Sequence, residues 1–321
     1  MSINESVAPV YETLSGSSMG TTWSLKFRGD GADLLRLQHD IQATLDEIIV
    51  QMSTWDRASA ISRLNQSEPG WYQVPSALFR VLTQALKLAE ISCGAYDPTV
   101  GNLVNLWGFG PSGPIHTPPS AEAIRLSLAC TGWQRTAFDT THQAIWQPGG
   151  LQFDLSSIAK GYAVDEIGCV LDAAGINDYL VELGGELKAK GASPAGSPWA
   201  LNIETPGLTE QIPITLSDSA VATSGDYRRY FMHRGRRMAH TIDARSGTPL
   251  AHTLASVTVL HAQCMLADGL ATALLAMGPE EGIEFARHNK LAALFMTRHQ
   301  TDFDVSWTEE FIAHVGVDTS A

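Results

Sequence analysis

The stretch "DLSSIAKGYAVDEI", residues 154–167, opens with an aspartate and carries two serines and one lysine in an otherwise apolar run. The apolar run predicts a buried helix that ends at Gly175, a residue type that commonly terminates helices. A second stretch, "MLADGLATALLAMG" (265–278), places Asp268 inside a helix that is otherwise apolar. Buried charges are costly unless they are paired or bind a ligand. The two stretches therefore predict core helices whose polar groups pair with something or bind something.

Outside these helices, the chain mixes strand patterns with helix patterns. Residues 20–27, 199–203 and 255–262 have the character of strands, whereas residues 33–52 are apolar at three- and four-residue spacing. Another helix is predicted to start at Pro75 and Ser76. No regular strand–helix–strand rhythm occurs. The pattern therefore favours an α+β fold, with mixed sheets and packed helices, over a doubly wound parallel sheet.

Length and composition predict a well-packed protein that does not act on nucleic acid. The chain has 321 residues, 44% of them hydrophobic, and a net charge of −13. Nucleic-acid backbones are held by clustered lysine and arginine, so nucleic acid is not expected as a partner. Residues 1–14 are predicted to be an N-terminal extension and residues 15–321 a single domain. A turn at 191–198 is the best candidate for a boundary between two lobes.

The cysteines and the N-terminus bear on the compartment. No two of the four cysteines are close enough to form a CxxC motif, which argues against a zinc site or a redox pair. A reducing compartment fits best, and we expect a cytoplasmic location. The first fourteen residues show no pattern of a signal peptide, and no apolar run is long enough for a membrane span.

Two pairs of polar residues are candidates for binding a cation and a phosphate. Asp268 and Thr272 lie four residues apart on one helix face and offer the hard oxygen ligands that Mg²⁺ prefers. Taken alone, an aspartate paired within the core is the better explanation. Asp154 and Lys160 lie at the start of a helix, where free N–H groups suit a phosphate. Here too an N-cap with a solvent-reaching lysine is the better explanation of the stretch by itself.

Other candidates lie in loops. His240 comes just before a predicted strand end and is the candidate general base, with His252 as its competitor. Residues 94–110 combine aromatic side chains with glycines, which suits either a planar ring against the backbone or a packed turn. Two further candidates are Trp55, at a predicted helix end, and Met19, beside Gly20.

The order of these motifs is more specific than any one of them. Together they resemble the FAD:protein FMN transferase family, known as the ApbE family, from about Ser15 to about Gly278. The blocks that carry the resemblance are "MGTTWS", "MSTWDRASAISRLN", "AYDPTVGNLVNLWGFGP", "DLSSIAKGYAVD", "LVELGGELKAKG", "ATSGDYRRYF", "HTIDARSGTPL" and "ADGLATALLAMG".

The resemblance implies an α+β fold, FAD as substrate and Mg²⁺ as cofactor. Members move FMN from FAD to a Ser or Thr hydroxyl of a target protein and release AMP. Carried over by motif, the residues that would hold FAD are Met19, Trp55, Ala95, Tyr96, Asp97, Asp154, Lys160, Thr241 and Ile242. Those that would hold Mg²⁺ are Ser157 through its carbonyl, Asp268 and Thr272, with Ala271 near the ion through its backbone.

The resemblance also assigns a role to His240, which matches the histidine of the family motif H-x-I-D-x-x-[ST]-G and is the expected catalytic base. The acceptor is expected to be a protein with a Ser/Thr flavinylation motif, such as a membrane redox subunit. Two alternatives stay open. The chain could be a Mg²⁺-dependent FAD pyrophosphatase that gives FMN and AMP, or a flavin-binding protein without turnover. The presence of Asp268, Thr272 and His240 favours catalysis.

Overall fold

The fold is taken from a computed structural model, which describes residues 11–29, 31–205, 211–227, 229–299 and 302–315. Residues 1–10 of the expected N-terminal extension and Arg228 of the block "ATSGDYRRYF" lie outside the described residues.

Strands and helices alternate irregularly along the chain, as the sequence predicts for an α+β fold. The strands are β1 (Tyr11–Ser18), β2 (Thr21–Arg28), β3 (Gly70–Gln73), β4 (Phe138–Asp139), β5 (Ala144–Gln147), β6 (Tyr179–Leu183), β7 (Glu186–Lys190), β8 (Trp199–Ile203), β9 (Ile212–Leu216), β10 (Ser219–Gly225), β11 (Tyr230–His233), β12 (Arg236–Ala239), β13 (Ile242–Asp243), β14 (Thr248–Pro249), β15 (Leu254–His261), β16 (Ala292–His299) and β17 (Asp302–Trp307). The helices are α1 (Leu34–Met52), α2 (Ala60–Asn65), α3 (Ser76–Ile91), α4 (Gly101–Leu106), α5 (Ala121–Ala129), α6 (Ala159–Ala173), α7 (Cys264–Met277), α8 (Pro279–His288) and α9 (Glu309–Ile312).

The centre of the fold is an antiparallel sheet of eight strands in the order β1-β2-β6-β7-β10-β15-β16-β17. Its first strand begins at Tyr11, four residues before the expected start of the domain at residue 15. Smaller sheets join β3 and β4 to β5, β8 to β9, β11 to β12, and β13 to β14.

One face of the sheet is covered by α1, α3, α6 and α7, which form the main core. In β2 the side chains of Trp23, Leu25 and Phe27 point to this face and are almost fully buried, as the period of two requires. In α1 the buried residues recur every three to four positions, including Ile41 and Leu45. Burial of each side chain of this kind stabilises the fold by roughly 1.5–3 kcal/mol. A shift in register would expose these side chains, so the buried face fixes how the sheet and the helices pack together.

The other face of the sheet is covered by the β8–β9 hairpin and α9, which form a second core. Strands β10, β15 and β16 lie between the two cores and are buried on both faces, which explains their continuous apolar character. The turn at 191–198 joins β7 to β8, and β8 then packs back on the same sheet through Trp199.

Helices α6 and α7 pack against each other through a glycine. A Cβ built on Gly161 would lie 2.7 Å from the carbonyl carbon of Cys264 and 2.8 Å from the Cβ of Asp268, so no larger residue fits there. Helix α6 begins at Ala159, five residues after Asp154, so Asp154 is not the N-cap that the sequence suggested. None of the helices in the described part of the chain is long and apolar enough to cross a membrane.

Candidate active site

A cavity of about 1040 Å³ opens between the helical layer and the ends of several strands. This volume lies at the upper end of what small-molecule and cofactor sites occupy. With the exception of Ala271, every residue that the sequence implicated lines it. They are Met19, Trp55, Ala95, Tyr96, Asp97, Asp154, Ser157, Lys160, His240, Thr241, Ile242, Asp268 and Thr272. The competing histidine, His252, does not line it.

Met19 is held at the cavity by a tight turn between β1 and β2. Met19 and Gly20 form the two-residue connection, and both have positive φ, 50° and 74°. Two-residue hairpin turns of this kind favour glycine or asparagine, because a side chain at positive φ clashes with its own backbone. A methionine at this position is therefore retained at a conformational cost, which indicates a use for its side chain in the cavity.

The loop at 95–97 is held in place by hydrogen bonds to the side chain of Asp97. One oxygen of Asp97 accepts hydrogen bonds from the Thr99 backbone (2.8 Å) and hydroxyl (2.7 Å), and the other accepts one from the Trp133 backbone N–H (3.0 Å). Burial nevertheless raises the pKa of Asp97, against the opposing effect of these hydrogen bonds. Beside it, the Tyr96 hydroxyl accepts a hydrogen bond from Ser157 at 3.0 Å. The loop thus presents a rigid, largely buried wall to a ligand.

Asp154 organises the chain before α6. Its carboxylate accepts hydrogen bonds from the backbone N–H (2.8 Å) and the hydroxyl (2.5 Å) of Ser156. This turn places Ser157 and the N-terminus of α6 at the cavity, where the positive end of the helix dipole favours an anion.

An irregular hydrogen bond at the start of α6 joins Gly161 to Asp268 and leaves the Ser157 carbonyl without its helical partner. The Gly161 N–H donates to Asp268 Oδ2 at 3.0 Å, and not to the Ser157 carbonyl four residues earlier as in a regular helix. No other group among the described residues donates to that carbonyl. The Ser157 carbonyl oxygen and Asp268 Oδ1 are both left without a hydrogen bond to any described residue. Two hard oxygen donors of cavity-lining residues are therefore without a partner among the described residues.

Thr272 adds a third oxygen one turn after Asp268 on α7. Its hydroxyl lies 2.7 Å from the Ser224 hydroxyl of β10, and both residues line the cavity. Among the described residues no three His, Cys, Asp or Glu side chains cluster as a metal site, so any cation here depends on hydroxyl and carbonyl oxygens as well. Such a mixed oxygen set fits Mg²⁺ rather than zinc. The structure does not bring Ala271 to the cavity: this residue is fully buried within α7, where a helix carbonyl takes the N–H four residues on.

A residue that sequence reasoning missed, Glu186, pairs with Lys160. The Lys160 ammonium lies 2.5 Å from Glu186 Oε1, while the buried Oε2 has no hydrogen-bond partner among the described residues. Burial raises the pKa of Glu186 to about 8, with a further increase from Asp268 and an opposing decrease from Lys160. Burial alone would lower the pKa of Lys160, but Asp268 and Glu186 raise it, so the lysine keeps its charge. Lys160 is thus a cation held in place by Glu186 and stabilised by the negative charge of Asp268.

His240 is oriented by the carbonyl of Arg229. Its Nδ1 lies 3.1 Å from that oxygen, which can only accept a hydrogen bond. Nδ1 must therefore carry the proton, and Nε2 is left free to accept one. Burial lowers the pKa of His240, and the Arg229 guanidinium lowers it further. Both effects favour the neutral imidazole that a general base requires.

The remaining residues define the edges of the cavity. Trp55 follows α1 and is 63% exposed, so its ring is available to a ligand at the mouth. Ile242 in β13 is buried, and Thr241 before it accepts the Leu250 N–H at 3.0 Å. These contacts hold the segment after His240 in an extended form along the cavity wall.

This combination of fold and cavity has a counterpart among known proteins. The family model described as "ApbE family" matches residues 19–295, most of the chain. The chain therefore belongs to the ApbE family.

Three relatives show how closely it follows the family. A FAD:protein FMN transferase of Vibrio cholerae serotype O1 is 41% identical over 298 residues, which cover 90% of this chain and 88% of that protein. One of Haemophilus influenzae is 38% identical over 303 residues, covering 91% and 88%. The apo structure of Pseudomonas stutzeri flavinyl transferase ApbE superposes with a TM-score of 0.90, at 39% identity, and covers 98% of this chain and 99% of that one. The similarity in structure confirms the predicted α+β fold.

Proposed function

We propose that this chain transfers FMN from FAD to a Ser or Thr hydroxyl of a protein, with release of AMP and with Mg²⁺ as cofactor. Transfer of FMN from FAD to a protein is the activity named for its relatives. The observation that carries the proposal is the arrangement around the start of α6. There an oxygen-donor set, a fixed lysine and a histidine with a free Nε2 share one cavity.

The residues present fit a magnesium ion. Asp268, Thr272 and the Ser157 carbonyl would hold it, because they offer one charged and two neutral oxygens without competing donors on the carboxylate Oδ1 or the carbonyl. When bound, Mg²⁺ would neutralise pyrophosphate oxygens and stabilise the departing phosphate. Burial raises the pKa of Asp268, although Lys160 opposes this, so a second nearby cation would favour the ionised form.

Lys160 and the N-terminus of α6 would position the pyrophosphate of FAD. A phosphoryl-type transfer depends on positioning and on charge stabilisation more than on covalent chemistry. Glu186 would keep the Lys160 side chain in one conformation, which avoids ordering it anew at each turnover. The exposed ring of Trp55 offers a surface on which the flavin ring could stack at the cavity mouth.

His240 would take the proton of the acceptor. The acceptor hydroxyl oxygen bonds to the phosphorus on the FMN side of the pyrophosphate as its proton moves to His240 Nε2. The bond from that phosphorus to the bridging oxygen breaks, and AMP leaves with the bridging oxygen. General base catalysis of this kind contributes roughly 10²–10⁴-fold.

The acceptor is proposed to be a protein that carries a Ser/Thr flavinylation motif, with a membrane redox subunit as one class of candidate. The cytoplasmic location inferred from the cysteines stays a prediction; all four cysteines are free thiols in the structure.

The experiment is to incubate the full-length protein with FAD, with and without Mg²⁺ and an acceptor protein, and to quantify AMP, free FMN and flavin-labelled acceptor. Mg²⁺-dependent AMP with labelled acceptor supports the transferase. AMP with an equal amount of free FMN supports a pyrophosphatase, and tightly held FAD without AMP supports a flavin carrier.

Two variants locate the chemistry. Asp268→Asn keeps an acceptor for the Gly161 N–H but removes the charge. The variant should therefore fold normally and lose the Mg²⁺-dependent release of AMP. His240→Ala should lose transfer and retain FAD, whereas His142→Ala, an exposed histidine outside the cavity, should behave as wild type. Full Mg²⁺-dependent activity in Asp268→Asn would contradict the proposed metal site.

A further inference from the structure

An arginine-rich hairpin stands beside the cavity. From Asp226 to His240 the sequence has five arginines and one acidic residue, in a chain of net charge −13. The described part of this segment forms β11 and β12, joined by a turn at Arg234 and Gly235. A local excess of positive charge on an acidic protein is a feature that the chemistry of the cavity does not require.

The hairpin has one face toward the protein and one toward solvent. Phe231 pairs with Met238 across the two strands, and both pack in a small core beneath, where the rings of Phe231 and Phe109 are 5.9 Å apart. At the alternate positions Tyr230, Met232 and Arg237 are exposed, while Ala239 at the base is buried. Arg236 shares the register of Phe231 and Met238 but lies beside the turn and is exposed. The hairpin is therefore anchored by its inner face.

The outward face has the composition of an interaction surface. Tyr230 is 42% exposed and Met232 56% exposed, and the Arg237 guanidinium lies 4.4 Å from the centre of the Tyr230 ring. Tyrosine, methionine and arginine are the residue types that protein interfaces favour.

Part of the positive charge of the hairpin is not paired with acidic residues of the protein itself. The acidic residue of the segment, Asp226, is held by Arg298 through two hydrogen bonds, one of them 2.7 Å long, and lies 3.8 Å from Arg237. Arg234 and Arg236 are exposed and form no ion pair with any described residue. They remain available to a partner of opposite charge.

The base of the hairpin is part of the active site. Arg229 precedes β11, His240 follows β12, and both line the cavity. The His240 N–H also donates to the Arg229 carbonyl at 3.1 Å, which closes the hairpin at this end. A strand of four residues is about 13 Å long, so a segment that runs along the hairpin from its tip reaches the proposed base.

We propose that the exposed tip and outward face of the β11–β12 hairpin dock an acidic segment of the acceptor protein, with Arg234 in the turn and Arg236 beside it meeting the acidic side chains, and so deliver the acceptor hydroxyl to His240. The inference rests on the proposed transferase function for the identity of the partner. Opposite charges would steer the acidic segment to the hairpin and set its register, while Tyr230 and Met232 would supply the apolar contact.

The test uses two fluorescein-labelled peptides of fifteen residues that share one serine at the centre. One carries five Asp or Glu residues around it, and the other has Asn or Gln at those positions. Binding to the full-length protein with FAD, in the absence of Mg²⁺, is followed by fluorescence anisotropy at low and high salt. We expect the acidic peptide to bind about tenfold more tightly than the neutral one, with an advantage that shrinks as salt screens the charges.

Charge variants identify the surface. Arg234→Gln with Arg236→Gln should remove most of the preference for the acidic peptide, and the two Lys replacements should restore it. The matched control is Arg36→Gln with Arg287→Gln, which removes two exposed arginines that do not line the cavity. Arg36 is sixteen residues before Met52, the end of α1 at the cavity, or about 24 Å along the helix.

Three results would overturn the proposal: equal binding of the two peptides, an unchanged preference in the Arg234 and Arg236 variant, or an equal loss in the control. Binding of that same surface to phosphatidylserine vesicles but not to the acidic peptide would also overturn it and indicate a membrane-facing patch. AMP release with Mg²⁺ and FAD, measured in parallel, tests the transferase function separately, because neither Arg234 nor Arg236 is part of the catalytic cavity.

Discussion

The contact of α6 with α7 gives the sharpest prediction, the effect of Gly161→Ala. The added Cβ would meet the carbonyl group of Cys264 and the Cβ of Asp268, at 2.7 Å from the carbonyl carbon and 2.8 Å from the Cβ. The Cys264 atoms are backbone, so they cannot rotate away. The two helices would have to separate by about 1 Å to reach an ordinary carbon–carbon contact.

The expected loss of stability is the balance of two terms. Alanine in place of glycine stabilises a helix interior by about 1 kcal/mol. Forcing an extra carbon into a packed core costs typically 1–3 kcal/mol, and we take the upper end because the obstacle is backbone. The net loss is about 2 kcal/mol, which corresponds to a decrease in Tm of roughly 4 °C for a chain of this size.

The effect on activity should exceed the effect on stability. Ser157 precedes α6 and Asp268 is in α7, so separation of the helices moves two proposed metal ligands apart. A shift of about 1 Å in catalytic geometry can lower turnover by roughly 10²-fold. The assay is thermal unfolding together with AMP release from FAD as a function of Mg²⁺ concentration.

Gly168→Ala on the same helix is the matched control. Its Cβ would approach the Tyr179 hydroxyl at 2.9 Å and the distal Lys188 side chain at 3.7 Å, so its three nearest neighbours are all side-chain atoms. We expect its stability within about 1 kcal/mol of wild type, since the helix-propensity gain offsets the contact, and its Mg²⁺ dependence unchanged. A Gly161→Ala protein with wild-type Tm and wild-type Mg²⁺ dependence would refute the reasoning.

Three further predictions concern the cavity wall. Glu186→Ala should lower the free energy of unfolding by about 3 kcal/mol, because it leaves Lys160 partly buried without its partner. In chemical denaturation, the double variant Glu186→Ala with Lys160→Ala should show a coupling energy of about 1–3 kcal/mol between the two substitutions. Additive losses of stability would contradict the pairing. Because the pKa of His240 is lowered from 6.5, the transfer rate should fall only below pH 6.5, where the base becomes protonated. Arg229→Gln should move the midpoint of this fall in the pH–rate profile up toward 6.5. An unmoved midpoint would speak against His240 as the base. Met19→Gly removes a side chain from a positive-φ position, so the variant should keep or raise the Tm of the protein. Its affinity for FAD, measured by calorimetry, should decrease. A lower Tm with unchanged affinity would make Met19 a structural residue.

The sequence predicts those elements of the fold whose pattern is set by one buried face. Helix α1 was expected at 33–52 and is found at Leu34–Met52, because its apolar residues keep a helical period throughout. Strand β1 was missed, since "YETLSGSS" has one aliphatic side chain and belongs to an edge strand whose partner, β2, supplies the order. Pairing of this kind is a property of two segments and is not visible in either one.

The same reasoning separates the site residues that sequence could and could not identify. Asp268 stood out because a charge in an apolar helix needs an explanation. Glu186 did not, since "ELKAK" alternates charged and apolar residues as a solvent-exposed strand does, and its burial depends on Lys160 from another segment. The free carbonyl of Ser157 depends on a backbone hydrogen bond that is diverted to a side chain 107 positions further along the chain, which no local pattern encodes.

The spread of the cavity along the chain determines when a newly made molecule can first take up flavin. Its lining begins at Met19 and ends at Ala276, and α7 supplies Asp268 and Thr272 from near the end of that interval. At roughly 5–20 residues per second, a ribosome needs on the order of 10–50 s to synthesise that interval. Until α7 has emerged, the cavity lacks Asp268 and Thr272, and β10 and β15 lack the helix that packs on them, so the site cannot be complete during the first steps of folding. A complete site is therefore a late product of synthesis, and a chain truncated before α7 would lack both side chains proposed to hold Mg²⁺.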